Sequence, residues 1–213
     1  MGTYEQGILG AFSGLVGPVV GSSFRGKSVM RGRPRKSKKA PTNGQLAQRS
    51  RFTEVTRFLT PAKGILSEYF GMPSRTRSRY NMATSYHLQE AVVFGGGGAS
   101  ILYNKALFSK GNLLGIQNLV VSMEPGSFMK LNWTSNSNQG TALGTDTLMV
   151  LIYEPAAGVY EFYQDAAIRE EFMTVIQLPG YLSGAKVQGW AFMVSANGLL
   201  KSTSQYLGEL IVT

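Results

Sequence analysis

Hydrophobic and polar residues alternate with a period of two from Tyr86 to the end of the chain. This alternation is typical of β-strands that are buried on one face. A continuous apolar run over residues 148–153 instead indicates a central strand that is covered on both faces. The clearest alternating segments are residues 128–133, 172–178, 190–194 and 206–212.

Clusters of turn-forming residues separate these segments. Residues 135–140, 154–158 and 196–198 are rich in Ser, Asn, Gly and Pro. The chain between them holds about seven to nine short strands, with no long helix among them. The pattern predicts a mainly β protein in which residues 81–213 form an antiparallel β-sandwich, either immunoglobulin-like or a jelly roll.

A short helical segment precedes the predicted sandwich. Thr42 and Gln45 form a T-x-x-Q pair, which is typical of a capping box at a helix N-terminus. Thr60-Pro61 resembles an N-cap followed by proline at the first helical position, so we predict two helices, over residues 43–59 and 61–70. An apolar stripe at helical spacing, which we expect to pack in the core, consists of Phe52, Val55, Leu59, Ala62 and Leu66. We assign residues 42–80 to this segment, which ends in a basic linker.

Positive charge is concentrated near the N-terminus. The net charge of the chain is +9, with +12 in residues 1–80 and −3 in residues 81–213. Residues 1–41 also carry many glycines, whose cost in a helix favours an extended or looped arm that becomes ordered only against a partner. We predict that this basic, glycine-rich arm binds nucleic acid; an arm that only aids solubility is the alternative. The predicted nucleic-acid-binding residues are Arg25, Lys27, Arg31, Arg33, Arg35, Lys36, Lys38 and Lys39.

The groups that usually carry catalysis are scarce in this chain. It has no cysteine, which excludes disulfides, thiolate nucleophiles and cysteine-based metal sites. Its single histidine, His87, lies in a strand-like run without a neighbouring nucleophile or carboxylate, so we predict a structural role for it. Asp146, Asp165 and residues 169–171 show no metal-ligand spacing and are expected in solvated loops or at strand edges. We therefore predict no enzymatic activity, no cofactor and no metal site.

Two short motifs lie inside the arm. Residues 21–28 match the P-loop pattern G-x-x-x-x-G-K-S, but Gly32 and Pro34 fall where the required helix would run. Residues 31–36 resemble the AT-hook, whose R-G-R-P core lies in the DNA minor groove. Contact with phosphates regardless of sequence is the simpler interpretation of these cations. Aromatic rings in the basic region, such as that of Phe24, can stack on unpaired bases.

The arm also resembles a known group of proteins. The motifs Q-G-I-L-G at residues 6–10, G-S-S-F-x-G at residues 21–26 and A-P-T-x-x-Q at residues 40–45 resemble a family of short, uncharacterised proteins from Bacteroidota genomes and associated phage sequences. The ending S-x-Y-x-G at residues 204–208 is similar too. The resemblance implies that arm, helices and sandwich form one unit. It implies no activity, substrate or catalytic residue.

These observations favour a structural protein over an enzyme. We expect a capsid-type, non-enzymatic protein of a phage-like or virus-like particle, whose arm contacts nucleic acid or neighbouring subunits and which self-associates into a large homo-oligomer. The alternatives are a cellular, sequence-nonspecific nucleic-acid-binding protein with a β-sandwich interaction module, and a module that docks on an acidic protein. The sequence shows neither a secretory signal nor a membrane-spanning run, so we expect a cytoplasmic or virion location.

Overall fold

Three α-helices lie between an N-terminal and a C-terminal group of strands in the residues that the structure describes. The structure is a computed structural model, and it describes residues 2–4, 10–24, 26–35, 39–74, 76–95 and 98–213. The N-terminal strands are β1 (Gly2–Tyr4), β2 (Phe12–Val16), β3 (Val19–Phe24) and β4 (Lys27–Gly32). The helices are α1 (Asn43–Leu59), α2 (Lys63–Tyr69) and α3 (Arg79–Glu90). The C-terminal strands are β5 (Val92–Gly95), β6 (Gly98–Ile101), β7 (Gln117–Glu124), β8 (Phe128–Thr134), β9 (Thr147–Glu154), β10 (Val159–Tyr163), β11 (Met173–Gln177), β12 (Lys186–Val194) and β13 (Gln205–Ile211).

Two antiparallel sheets pack face to face in the C-terminal half. The larger has the strand order β10-β9-β12-β13, and the smaller has the order β11-β8-β7. Strand β8 alternates as its sequence predicts, because Met129, Leu131 and Trp133 are buried and their neighbours are not. These three side chains share one apolar cluster with Leu148 and Val150 of β9, which joins the two sheets. The predicted antiparallel β-sandwich is confirmed.

The helices cover the second face of the larger sheet. Every residue of β9 from Leu148 to Tyr153 is buried, as the continuous apolar run predicted. Leu148, Val150 and Ile152 face the smaller sheet, whereas Leu151 and Tyr153 pack in a second cluster with the helices. The molecule therefore has three layers, with helices on one side of the central sheet and the smaller sheet on the other.

Helix α1 begins at the predicted capping box. Thr42 Oγ1 accepts a hydrogen bond from Gln45 N at 3.4 Å, and Gln45 Oε1 accepts one from Thr42 N at 3.1 Å. The first buried side chain of the helix is that of Val55, because its first three turns extend beyond the core. Phe52 lies in these turns and is 53% exposed. The expectation that Phe52 packs in the core is therefore wrong.

The start of α2 also differs from the prediction. Thr60 is the C-cap residue of α1, and its backbone N–H donates to Thr56 O at 2.9 Å. Helix α2 begins at Lys63, and its N-cap residue Ala62 provides no side-chain hydrogen bond. Thr60-Pro61 thus forms the junction between the helices, because Thr60 keeps a helical backbone instead of the extended one that an N-cap residue needs.

Helix α3 replaces the strand expected near Tyr86. Ser78 caps its N-terminus by accepting a hydrogen bond from Asn81 N at 3.2 Å. Ala83 and His87, one turn apart, are the buried residues of the helix. The imidazole Nδ1 of His87 donates to Ala83 O at 2.8 Å, and its Nε2 accepts from Leu107 N at 3.3 Å. These bonds support the structural role predicted for His87.

A buried ion pair lies where the sequence predicted solvated residues. Asp146 and Arg169 are fully buried, and Arg169 Nη2 lies 3.0 Å from Asp146 Oδ2. The guanidinium also donates to the side-chain oxygen of Asn136 and to the carbonyl oxygens of Leu114 and Gly115. Because these groups satisfy the buried cation, the pair can join three loops at one end of the sandwich. Charges that pair only across the fold cannot be recognised from local spacing.

No helix in the described part of the chain is long and apolar enough to cross a lipid bilayer.

Candidate nucleic-acid interface

The predicted arm is organised as an antiparallel sheet. Its strands follow the order β1-β2-β3-β4. The hairpin of β3 and β4 pairs Phe24 with Lys27 and Val20 with Arg31. The turn between β2 and β3 contains Gly17 at a φ of 58°, a left-handed conformation that glycine adopts without strain. In the described residues the arm has an extended backbone, but its strands pair with one another, whereas the arm was expected to become ordered only against a partner.

The hairpin also shows that the segment matching the P-loop pattern does not fold as a P-loop. In a P-loop, the Lys-Ser pair begins a helix whose N-terminal amides hold phosphate. Here Lys27 and Ser28 are the first residues of strand β4. The expectation that the match is incidental is therefore supported by the fold of the segment.

The described cations of the arm lie along one strand and the chain that follows it. Lys27 and Arg31 are four residues apart on β4, so they point to the same face about 13 Å from each other. Arg33 and Arg35 follow directly, and the backbone N–H of Arg33 donates to Pro18 O at 2.8 Å. All four are exposed, and no salt bridge to a carboxylate involves any of them among the described residues.

The remaining predicted residues are only partly described. Lys39 is exposed and precedes the capping box of α1. Arg25, Lys36 and Lys38 lie outside the described residues. The structure thus brings Lys27, Arg31, Arg33 and Arg35 onto one continuous stretch.

An aromatic ring lies on the same face as Lys27 and Arg31. Phe24 is the cross-strand neighbour of Lys27, and cross-strand neighbours share a face of the sheet. The side chain of Phe24 is 62% exposed. Single-stranded nucleic acid can be bound through its bases, which stack on exposed rings, and through its phosphates, which attract cations. Phe24 and its neighbouring cations provide one group of each kind.

This N-terminal sheet has almost no apolar core of its own. Gly21 is its one buried residue among those whose burial is described. A Cβ atom at Gly21 would lie 2.1 Å from the backbone oxygen of Phe12, so the close approach of β2 and β3 requires glycine. Apolar side chains such as Met30 are exposed instead. Because a small sheet needs a packed face for stability, the described side chains of this sheet stabilise it little by their own packing.

The sequence revealed the charges of this site but missed its pairing. The arm has many glycines and few alternating apolar residues, so the usual strand signal is weak. The signal that was present is Val19-Val20, which follows the Gly17-Pro18 turn. This signal could have indicated one strand, but it does not identify the strands that pair with it.

Comparisons with known proteins give a family but no function. The profile of a family described as "Family of unknown function (DUF6266)" matches residues 11–208. A comparison with curated proteins gave no match. Among solved structures, the fn3 domain of the human collagen alpha-1(XX) chain is 12% identical, with 48% of this chain and 87% of that chain covered and a TM-score of 0.34.

Proposed function

Because the chain belongs to the family of unknown function DUF6266, we propose its role from its own geometry. The proposed role is that of a structural, non-enzymatic, capsid-type protein of a phage-like or virus-like particle. In this role the N-terminal sheet contacts nucleic acid or a neighbouring subunit. The observation that carries the proposal is the row of exposed cations along and after β4, on a sheet that has almost no core.

The charge of the row favours a polyanionic partner. Residues 6–53 contain no Asp or Glu, so the cations repel one another without local compensation. Phosphates relieve this repulsion, and their neutralisation releases condensed counterions. Such binding is independent of base sequence and depends strongly on salt concentration.

The exposed apolar side chains favour self-association. Val16, Phe24 and Met30 are exposed on a sheet whose own packing hides very little apolar surface. Contact with a neighbouring copy would bury them and stabilise the sheet. A particle satisfies both needs at once, because neighbouring copies cover the apolar residues while the cations face the packaged polymer.

Particle size and protected nucleic acid test the proposal. The full chain would be analysed by size-exclusion chromatography with light scattering and a 260/280 nm absorbance ratio, before and after nuclease treatment. We expect a very large species that retains its 260 nm absorbance. A small species that loses this absorbance would support the cellular nucleic-acid-binding alternative and refute the capsid role. A small species that never carries nucleic acid would refute both.

A matched pair of variants tests the assigned cations. In the first variant Lys27, Arg31, Arg33 and Arg35 are changed to Gln. The control changes Arg49, Lys63, Lys105 and Lys186 to Gln. These four residues are also exposed, and their replacement removes the same total charge. When the logarithm of DNA affinity is plotted against the logarithm of salt concentration, each phosphate contact contributes about 0.9 to the downward slope.

The two variants are expected to differ in this salt slope. The first should reduce the slope by about 3 to 4, whereas the control should leave it within about 1 of the original value. Equal reductions would mean that net charge, and not this row, determines binding. That result would overturn the assignment of the site.

A further inference from the structure

A cavity of about 380 Å³ opens between the end of α2, helix α3 and two loops of the sandwich. This volume is at the lower end of the range that is usual for small-molecule sites. Met72 and Leu199 lie at its mouth and are 74% and 72% exposed, respectively. The apolar part of its wall consists of Phe70, Met82, Tyr86 and Leu200. An apolar ligand can therefore enter across apolar residues and find an apolar wall.

Three cations from distant parts of the chain line the same cavity. They are Arg79 of α3, Lys110 and Lys201, and no Asp or Glu is found among the described residues that line it. Lys110 Nζ lies 5.3 Å from the centroid of the Tyr86 ring, which is a cation–π distance. Among the described lining residues these cations thus have no carboxylate partner, and the carboxylate that acts on Lys201, that of Glu68, lies outside the lining.

Arg79 and Lys201 are partly shielded from water, whereas Lys110 is exposed. The Arg79 guanidinium donates through Nη1 to the backbone oxygen of Glu68, but its Nε is buried and has no hydrogen-bond partner in the described part of the chain. Burial and the nearby charge of Arg79 lower the pKa of Lys201, and the charge of Glu68 offsets this only in part. An unpaired, poorly hydrated cation gains more from an anion than an exposed one does.

Hydrogen bonds and close packing hold the backbone at these two lysines. A Cβ atom at Gly111 would lie 2.2 Å from the backbone oxygen of Lys201, so these two segments are in contact. Gly71 N donates to Lys110 O at 2.8 Å, and Leu113 N donates to Lys201 O at 3.0 Å. Both lysine side chains therefore leave the backbone at defined positions beside the cavity.

We propose that this cavity binds a small amphipathic carboxylate. The apolar chain or ring of the ligand lies against Phe70, Met82 and Leu200. The carboxylate lies toward Arg79, Lys110 and Lys201. This site is separate from the row of cations on β4 and does not depend on the particle role.

Octanoate is a suitable probe, and titration calorimetry of the full chain provides the measurement. We expect saturable binding with a stoichiometry of one. Octan-1-ol has the same chain without the charge, and acetate has the same charge without the chain. Each should bind at least about tenfold more weakly, because each lacks one of the two interactions. Equal affinity of octanol or acetate, or no saturable binding of octanoate, would overturn the proposal.

Variants assign the binding to this cavity. Lys201→Gln and Lys110→Gln each remove one lining cation and should each weaken octanoate binding by about tenfold. Lys105→Gln removes an exposed cation outside the cavity and should change the affinity by less than about twofold. If both lining variants bind as Lys105→Gln does, the carboxylate lies elsewhere and the proposal fails.

Discussion

His87 makes the stability of this protein sensitive to mild acid. It is fully buried, and burial lowers the pKa of its imidazole from 6.5 to about 4. The bond from Nδ1 to Ala83 O favours the protonated form but does not outweigh this desolvation. Protonation at Nε2 would also place an N–H against the N–H of Leu107, which that nitrogen accepts in the neutral ring.

The sign and size of the effect follow from the two pKa values. Between pH 6.5 and pH 4 the unfolded chain binds a proton at His87 and the folded chain does not, so acid favours unfolding. Stability due to the neutral ring is fully present above pH 6.5 and is lost as the pH falls toward 4. One pKa unit corresponds to about 1.4 kcal/mol, so the loss amounts to about 3 kcal/mol.

Urea denaturation from pH 7.5 to pH 4 measures this loss. The variant His87→Gln keeps a polar, uncharged side chain and should cost about 1 to 2 kcal/mol at pH 7.5. Carboxylates titrate in both proteins, so their contribution cancels in the difference between the two curves. We expect that difference to shrink as the pH falls from 6.5 and to change sign before pH 4, because the loss of about 3 kcal/mol exceeds the initial advantage of about 1 to 2 kcal/mol. Parallel curves over this range would refute the argument.

A direct titration complements the denaturation experiment. The chain has one histidine, so the imidazole proton resonance in an NMR spectrum belongs to His87 without further assignment. Its chemical shift should stay constant down to about pH 5 in the folded protein. A midpoint near 6.5 would show that the ring is hydrated and that its burial carries no such cost.

Three further predictions concern packing and are checked by the free energy of unfolding in urea. Asp146→Asn leaves its buried guanidinium partner without a counter-charge and should cost about 3 kcal/mol or more. Gly111→Ala forces a methyl group against a backbone oxygen and should cost about 2 kcal/mol or more, whereas Gly64→Ala, in open space on α2, should stabilise the protein by about 0.5 kcal/mol. Phe58→Ala should cost about 3 to 5 kcal/mol because its ring is buried, and the exposed Phe52→Ala less than about 1 kcal/mol. Equal costs within either pair would contradict the burial described here.

The sandwich was predictable where the burial of a strand produces a local pattern of apolar residues. The run Leu148–Tyr153 is apolar throughout because both faces of β9 are covered, and β8 alternates because one of its faces is open. Helix α3 shows no such pattern. Its buried residues are Ala83 and His87, and these two do not form an apolar stripe at helical spacing. The residue that could have revealed the helix is Ser78. Serine is favoured at a helix N-cap, and its hydroxyl accepts a hydrogen bond from Asn81 N, three residues later.

The two candidate sites differ in the same respect. The cations of β4 are contiguous, so the sequence shows them together, but it does not show the pairing of Phe24 with Lys27. The cavity joins Arg79, Lys110 and Lys201, which lie far apart along the chain. Only the fold brings these three together, and no spacing rule finds them. The pairing of Asp146 with Arg169 was missed for the same reason.

The three-layer arrangement also limits how this protein can recombine during evolution. Many β-sandwiches have two layers, so they can be excised and joined to other proteins. Here the helices cover Leu151, Tyr153 and Trp190 on the central sheet. A gene fragment that encodes the strands alone would display this aromatic face to water and yield an aggregating product. We therefore expect the helices and the sandwich to be inherited together as one unit.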